Sequence, residues 1–182
     1  MLKFIILLVF AMLSNTSSAF SVDYIVNYTK HKVTRSEATK IVSSVNKFSL
    51  MYDVDPEMVF KIMKTESSFN RKAKNKASIG LMQIIPKWHK EKIGKRNLYD
   101  IETNVEVGIR IIAEYSKMVN GNVSAMLQRY NGSKNKKKYA KKVLAIKEET
   151  FIVSKRNNVS PTNESHDEPK TTKPIEVATN TE

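Results

Sequence analysis

A chain of 182 residues with 31 Lys and Arg, 18 Asp and Glu and no cysteine has room for one hydrophobic core, but not for a disulfide framework or a thiolate metal site. The histidines His31, His89 and His166 stand at no metal-ligand spacing, so no metal and no other cofactor is expected. The positive excess lies in residues 20–153, where 26 basic side chains meet 13 acidic ones, and such a field favours a polyanionic partner: nucleic acid, an anionic membrane or the bacterial wall.

In chain order, Lys3, the apolar run Phe4 to Leu13 and the small-residue end Ser17-Ser18-Ala19 read as a secretory signal peptide over residues 1–19. The apolar run falls short of the about 20 residues a spanning helix needs, so no stable membrane span is expected after cleavage. Export argues against nucleic acid and for the wall, in the periplasm or cell wall. Residues 20–33 show no helical periodicity and read as a leader arm ahead of a domain over 34–153.

Thr34-x-x-Glu37 is a capping box, followed by Ala38, Ile41, Val42, Val45 and Phe48 on one helix face. Asp55-Pro56 opens a second helix with Val59, Ile62 and Met63 as its apolar stripe. The stretch from Arg71 to Leu98, punctuated by Gly80, Pro86 and Gly94, is irregular. Its Ile79 to Ile85 segment and Trp88 are too apolar for a free loop, which predicts that it packs over the core as one wall of a cleft. Thr103-x-x-Glu106 opens a third helix carrying Ile109, Ile112 and Tyr115, and Asn120-Gly121-Asn122 breaks it. Further helices are expected from Ala125 to Tyr130 and near Lys137 to Glu148. No segment alternates with period two, so the fold class is mainly α. Residues 154–182 are rich in Thr, Asn, Glu, Lys and Pro and read as a disordered tail.

Glu66 is the residue that stands out. It follows Val59, Ile62 and Met63 by seven, four and three positions, which puts its carboxylate on the apolar face at the C-terminal end of its helix. Desolvation and the negative end of the helix dipole both disfavour the anion there. A carboxyl held protonated in this way can serve as a general acid. A lone helical glutamate ordinarily escapes to solvent, and its company decides otherwise.

Glu66-Ser67-Ser68-Phe69-Asn70, Gly80-Leu81-Met82-Gln83-Ile84, Asn97-Leu98-Tyr99-Asp100, Asn104 with Gly108, and Tyr130-Asn131-Gly132 occur in that order. From Phe48 to Ile146 this set resembles the catalytic domain of the soluble lytic transglycosylases, which implies a goose-lysozyme-like helical fold with a sugar-binding cleft. The resemblance makes Glu66 the single catalytic carboxylate and places Gln83, Tyr130, Asn131 and Ser67 on the sugar side; the Tyr130 hydroxyl is expected at the acid and its ring on Met126 and Leu127. The chain departs from the family in Lys74-Asn75-Lys76, where many relatives carry a serine, in Arg129, where alanine is usual, and in the lysines that follow Gly132.

Ordinary glycosidases use two carboxylates, but Glu57, nine residues before Glu66, falls on the opposite helix face. The resemblance implies a one-acid cleavage of peptidoglycan glycan strands between N-acetylmuramic acid and N-acetylglucosamine, giving 1,6-anhydro ends. A hydrolytic goose-type lysozyme and a non-catalytic murein-binding assembly factor are the alternatives. Small phage-encoded and secretion-associated members share the pattern, so a phage or secretion-machine partner belongs to the expectation.

Overall fold

The computed structural model describes residues 22–147; the signal peptide and tail expected from the sequence lie outside them. Seven α-helices follow in order among the described residues: α1 Val22–Tyr28, α2 Arg35–Tyr52, α3 Pro56–Ser67, α4 Lys90–Ile93, α5 Ile101–Met118, α6 Val123–Asn131 and α7 Lys136–Leu144, with a 3-10 turn at Pro86–Trp88. Extended pairing among the described residues is limited to two isolated antiparallel bridges, Lys74 with Ile79 and Ile79 with Ile84. No helix among them is long and apolar enough to cross a membrane.

Two helix starts form as their local chemistry dictates. The Thr34 hydroxyl accepts from the Glu37 amide while the Thr34 amide donates to Glu37 Oε2, both at 3.2 Å. Asp55 caps α3 by accepting from the Glu57 amide at 2.9 Å, ahead of Pro56. The apolar faces then meet: α2 packs along α5, α3 on α2 and α7, and α5 on α6. Ile41, Val45, Val59, Ile62, Met63, Ile109 and Ile112 are buried at their centre. Each such side chain contributes about 1.5–3 kcal/mol relative to exposure.

Three expectations are corrected. Residues 22–28, expected within a leader arm, form α1, which packs on α2 through buried Ile25 and Val26. A seven-residue helix is too short to stand alone or to display a period, and tertiary packing holds it. The third long helix starts at Ile101, capped by Asp100, whose carboxylate accepts from the Thr103 amide at 2.9 Å. Trp88 is 60% exposed rather than packed over the core, whereas Leu81, Met82 and Ile84 of the same stretch are buried.

One buried amide ties the irregular stretch to α5. Asn104 Oδ1 accepts from the Met82 amide at 2.8 Å, and Nδ2 donates to the carbonyls of Leu98 at 2.8 Å and Ile79 at 3.0 Å. The loop lies so close that a Cβ at Gly80 would sit 2.1 Å from Asn104 Nδ2, and one at Gly108 2.3 Å from Met82 Sδ. The Asn104 and glycine positions of the motif set therefore serve close approach of the loop to α5.

Candidate active site

Glu66 ends the buried stripe of α3 as anticipated, on the face of Val59, Ile62 and Met63 but itself only partly buried. α3 continues one residue to Ser67 and closes through Ser68 in the left-handed region at φ 51°, whose amide donates to the Lys64 carbonyl. Burial raises the Glu66 pKa above the ordinary 4.5, opposed by a hydrogen bond from Tyr139 and by the charge of Lys142.

Tyr139 is the partner that sequence reasoning missed. Its hydroxyl donates to Glu66 Oε1 at 2.7 Å, brought there by the packing of α7 on α3. Burial and the adjacent Glu66 push the Tyr139 pKa far up, so the phenol stays a donor. The sequence carried a faint signal: within the lysine-rich stretch, Tyr139, Ala140 and Val143 share one helix face, and the last two are buried.

The Tyr130 hydroxyl, expected at the acid, instead donates to the Met82 carbonyl at 2.8 Å. The charge of Glu66 still contributes, after burial, to raising the Tyr130 pKa, so the two groups share one neighbourhood. Beside them, the Trp88 ring lies 3.7 Å from where a Cβ of Gly132 would sit. Asn131 is the last residue of α6, and its Oδ1 accepts from the Ser133 hydroxyl.

Gln83 holds its own loop. It adopts φ 48°, accepts from the Ser78 hydroxyl at 2.7 Å and donates to the carbonyls of Gly80 at 2.9 Å and Ala73 at 3.3 Å. Both amide hydrogens are engaged, and an oxygen lone pair remains for any other donor. The Ser67 hydroxyl turns back to the Met63 carbonyl at 3.2 Å, and Ser67 lines a separate cavity whose walls include neither Glu66, Gln83 nor Tyr130. The structure thus gathers Glu66, Tyr130 and Tyr139 in one neighbourhood, ties Tyr130 to the Met82 loop and leaves Ser67 to one side. Glu57, on the far face of α3, is ion-paired with Lys61. Among the described residues no group of three or more His, Asp or Glu side chains is placed to hold a metal ion.

The site is therefore one protonatable carboxyl, half out of water, fixed by a phenol and backed by a clamped loop. Known proteins carry a similar segment. The chain is 33% identical over 95 residues to a transglycosylase of Enterobacteria phage PRD1, a match covering 52% of this chain and 35% of that protein. It is 30% identical over 115 residues to membrane-bound lytic murein transglycosylase C of Sodalis glossinidius, covering 52% and 32%. The corresponding protein of Cronobacter sakazakii is 29% identical over 115 residues, covering 52% and 31%. The chain spans about a third of the length of these curated relatives. The transglycosylase SLT domain model matches residues 43–152, more than half of the sequence and the stretch that holds Glu66, Gln83, Tyr130 and Tyr139, and the chain belongs to that family.

Proposed function

We propose that this protein is a murein lytic transglycosylase that cuts the β-1,4 bond between N-acetylmuramic acid and N-acetylglucosamine, with Glu66 as acid and then base. The observation that carries this reading is the Glu66 carboxyl itself: partly buried, raised in pKa and held at 2.7 Å by Tyr139. A raised pKa favours the protonated form that a general acid needs.

In the first step Glu66 gives its proton to the glycosidic oxygen and the bond from the muramoyl C1 breaks, the 2-acetamido oxygen closing on C1 in its place. The Glu66 carboxylate then takes the proton of the muramoyl C6 hydroxyl as that oxygen attacks C1 and the acetamido group is released. The product is a 1,6-anhydro ring, with no water consumed. Tyr139 orients the carboxyl in both steps, because its hydroxyl can donate to the anion or to the carbonyl oxygen of the acid, leaving the acid's own proton for the glycosidic oxygen.

The wall lies outside the cytoplasm, which agrees with the signal peptide read at residues 1–19. The positive excess of the domain and the exposed lysines of α7 favour attraction to a polyanionic glycan sheet. Phage- or secretion-linked use of the cut belongs to this reading, and the similarity to a phage transglycosylase supports it.

The test is analysis of the ends released from purified peptidoglycan by the wild-type chain and by Glu66→Gln. Anhydro ends from wild type and none from the variant are the expected result. Reducing ends would make the protein a hydrolase, and unchanged cleavage by the variant would remove Glu66 from the chemistry.

A further inference from the structure

The cavity beside Ser67 has a volume of about 630 Å³, and Glu66 is not among its walls. We propose that it is a second binding site, for the carboxylate-bearing peptide stems that hang from glycan strands; the identity of this ligand rests on the murein reading above.

One wall is the α1–α2 connection with Glu37 and Ile41, and the other is the segment from Ser67 to Lys72. The first wall lies wholly before residue 43, outside the family-matched stretch. The floor is apolar, formed by buried Val33, Ile41, Phe69 and Ile101. Around it stand Lys30, Lys32, Arg71 and Lys72 against the single acid Glu37. Arg71 Nε donates to Glu37 Oε1 at 2.6 Å, which neutralises that acid. Lys30, Lys32 and Lys72 are exposed and form no ion pair among the described residues.

The shape is built rather than incidental. Lys30, Ser68 and Phe69 hold φ of 51°, 51° and 64°, uncommon for residues other than glycine. Phe69 is fixed by edge-on contact with Tyr28 at 5.7 Å and with Tyr24 at 6.3 Å. A volume of this size falls in the range of small-ligand sites, roughly 300–1,000 Å³. An apolar floor with a cationic rim selects a ligand that is both aliphatic and anionic. A short peptide with alanine methyls and free carboxylates has that character, whereas a bare sugar or inorganic anion has only half of it. Ser67 is both cavity wall and chain neighbour of Glu66, one Cα step of about 3.8 Å away. On this proposal, a glycan strand held at the acid brings its lactyl-linked peptide to this mouth.

The experiment is calorimetry on the full chain with peptide stems released from purified wall by an amidase, beside the same peptides with their carboxylates converted to amides. The Lys30→Gln/Lys72→Gln double variant changes exposed side chains, and its thermal midpoint checks the fold. Wild type should bind the acidic peptide. The amidated peptide, and the double variant with the acidic one, should each bind about three- to tenfold more weakly, the scale of two exposed ion pairs. The double variant should raise KM on peptide-bearing strands by a similar factor, and by clearly less on strands stripped of peptide. No binding by wild type, equal binding by the double variant, or equal binding of the amidated peptide each overturns the proposal. If neither strand is cut, the murein reading fails and calorimetry alone judges the cavity. Cleavage without peptide binding overturns the cavity site and leaves the enzyme.

Discussion

The Tyr139 hydroxyl lies 2.7 Å from Glu66 Oε1 although 73 positions separate the two residues. A phenol that stays protonated far above neutral pH stabilises the carboxylate, and so counteracts the burial that raises the Glu66 pKa. The acid is thus set between two opposed influences, from different helices, rather than by burial alone.

Tyr139→Phe removes the larger of the two lowering influences, leaves the charge of Lys142, and keeps the ring. The Glu66 pKa should rise further, and since the acid acts in its protonated form, the alkaline fall of the pH–rate profile should move to higher pH. The rate at the optimum should drop about tenfold to a hundredfold, the scale of one charge-assisted hydrogen bond at 1.36 kcal/mol per decade. Profiles of both proteins on isolated wall test this. An unmoved alkaline limb would leave Tyr139 as packing alone.

Stability should carry the opposite signature in Glu66→Gln. The folded pKa of Glu66 lies above the unfolded value near 4.5, so the native state holds the proton more tightly. The stability Glu66 contributes is fully present below the unfolded pKa and is lost as pH rises through the folded one. At neutral pH the variant should therefore unfold at higher temperature than wild type, and the gap should close as pH falls below about 4.5. Thermal midpoints across that range check the sign; a variant less stable at neutral pH would contradict it.

Asn104→Ala should be among the most damaging changes in the loop scaffold. It strands the Met82 amide and the Leu98 carbonyl, while the Ile79 carbonyl keeps the Ile84 amide, and each buried orphan costs about 1–3 kcal/mol. The midpoint should fall by several degrees for each kcal/mol lost. Denaturant melts with an unchanged slope would confirm a pure stability loss.

These effects divide along the line of what the sequence made legible. The Thr34–Glu37 box and the Asp55-Pro56 start are chemistry of four neighbouring residues, so their pattern alone locates them. Glu66 could be placed on its face because helical period is local too. Asp100 escaped notice because Thr103-x-x-Glu106 mimics a cap; in the fold Thr103 is the residue being capped, and Glu106 bonds Arg96 instead. α1 and the Tyr139 contact are long-range: one is a seven-residue helix held by packing on α2, the other depends on α7 docking on α3. Hydropathy cannot tell a core indole from one that, like Trp88, stands beside Gly132 at the surface.

Attraction to the wall should be salt-dependent. The screening length is about 8 Å near 0.15 M ionic strength and shortens above it, so the field of the basic domain fades while contacts at Glu66 persist. Turnover on whole sacculi should fall with added salt, and turnover on a short neutral glycan should change little. Equal dependence on both substrates would remove the field from the account.

Tyr130 separates loop support from chemistry. Its hydroxyl is donated to the Met82 carbonyl, and Met82 is buried with its amide on Asn104. Tyr130→Phe should therefore cost about 0.5–1.5 kcal/mol of stability, the net worth of one neutral hydrogen bond. Its effect on rate should be indirect, through a looser Met82–Gln83 segment, and smaller than that of Tyr139→Phe. Tyr130→Ala also removes a ring packed on the core and should lose more, up to about 3–5 kcal/mol were the ring fully buried. Rate on murein plotted against thermal midpoint for the three variants gives the answer: both Tyr130 variants should lose stability, and Tyr139→Phe should lose rate out of proportion to stability. A Tyr130→Phe protein with an unchanged midpoint and a collapsed rate would place that hydroxyl on the sugar instead of the loop.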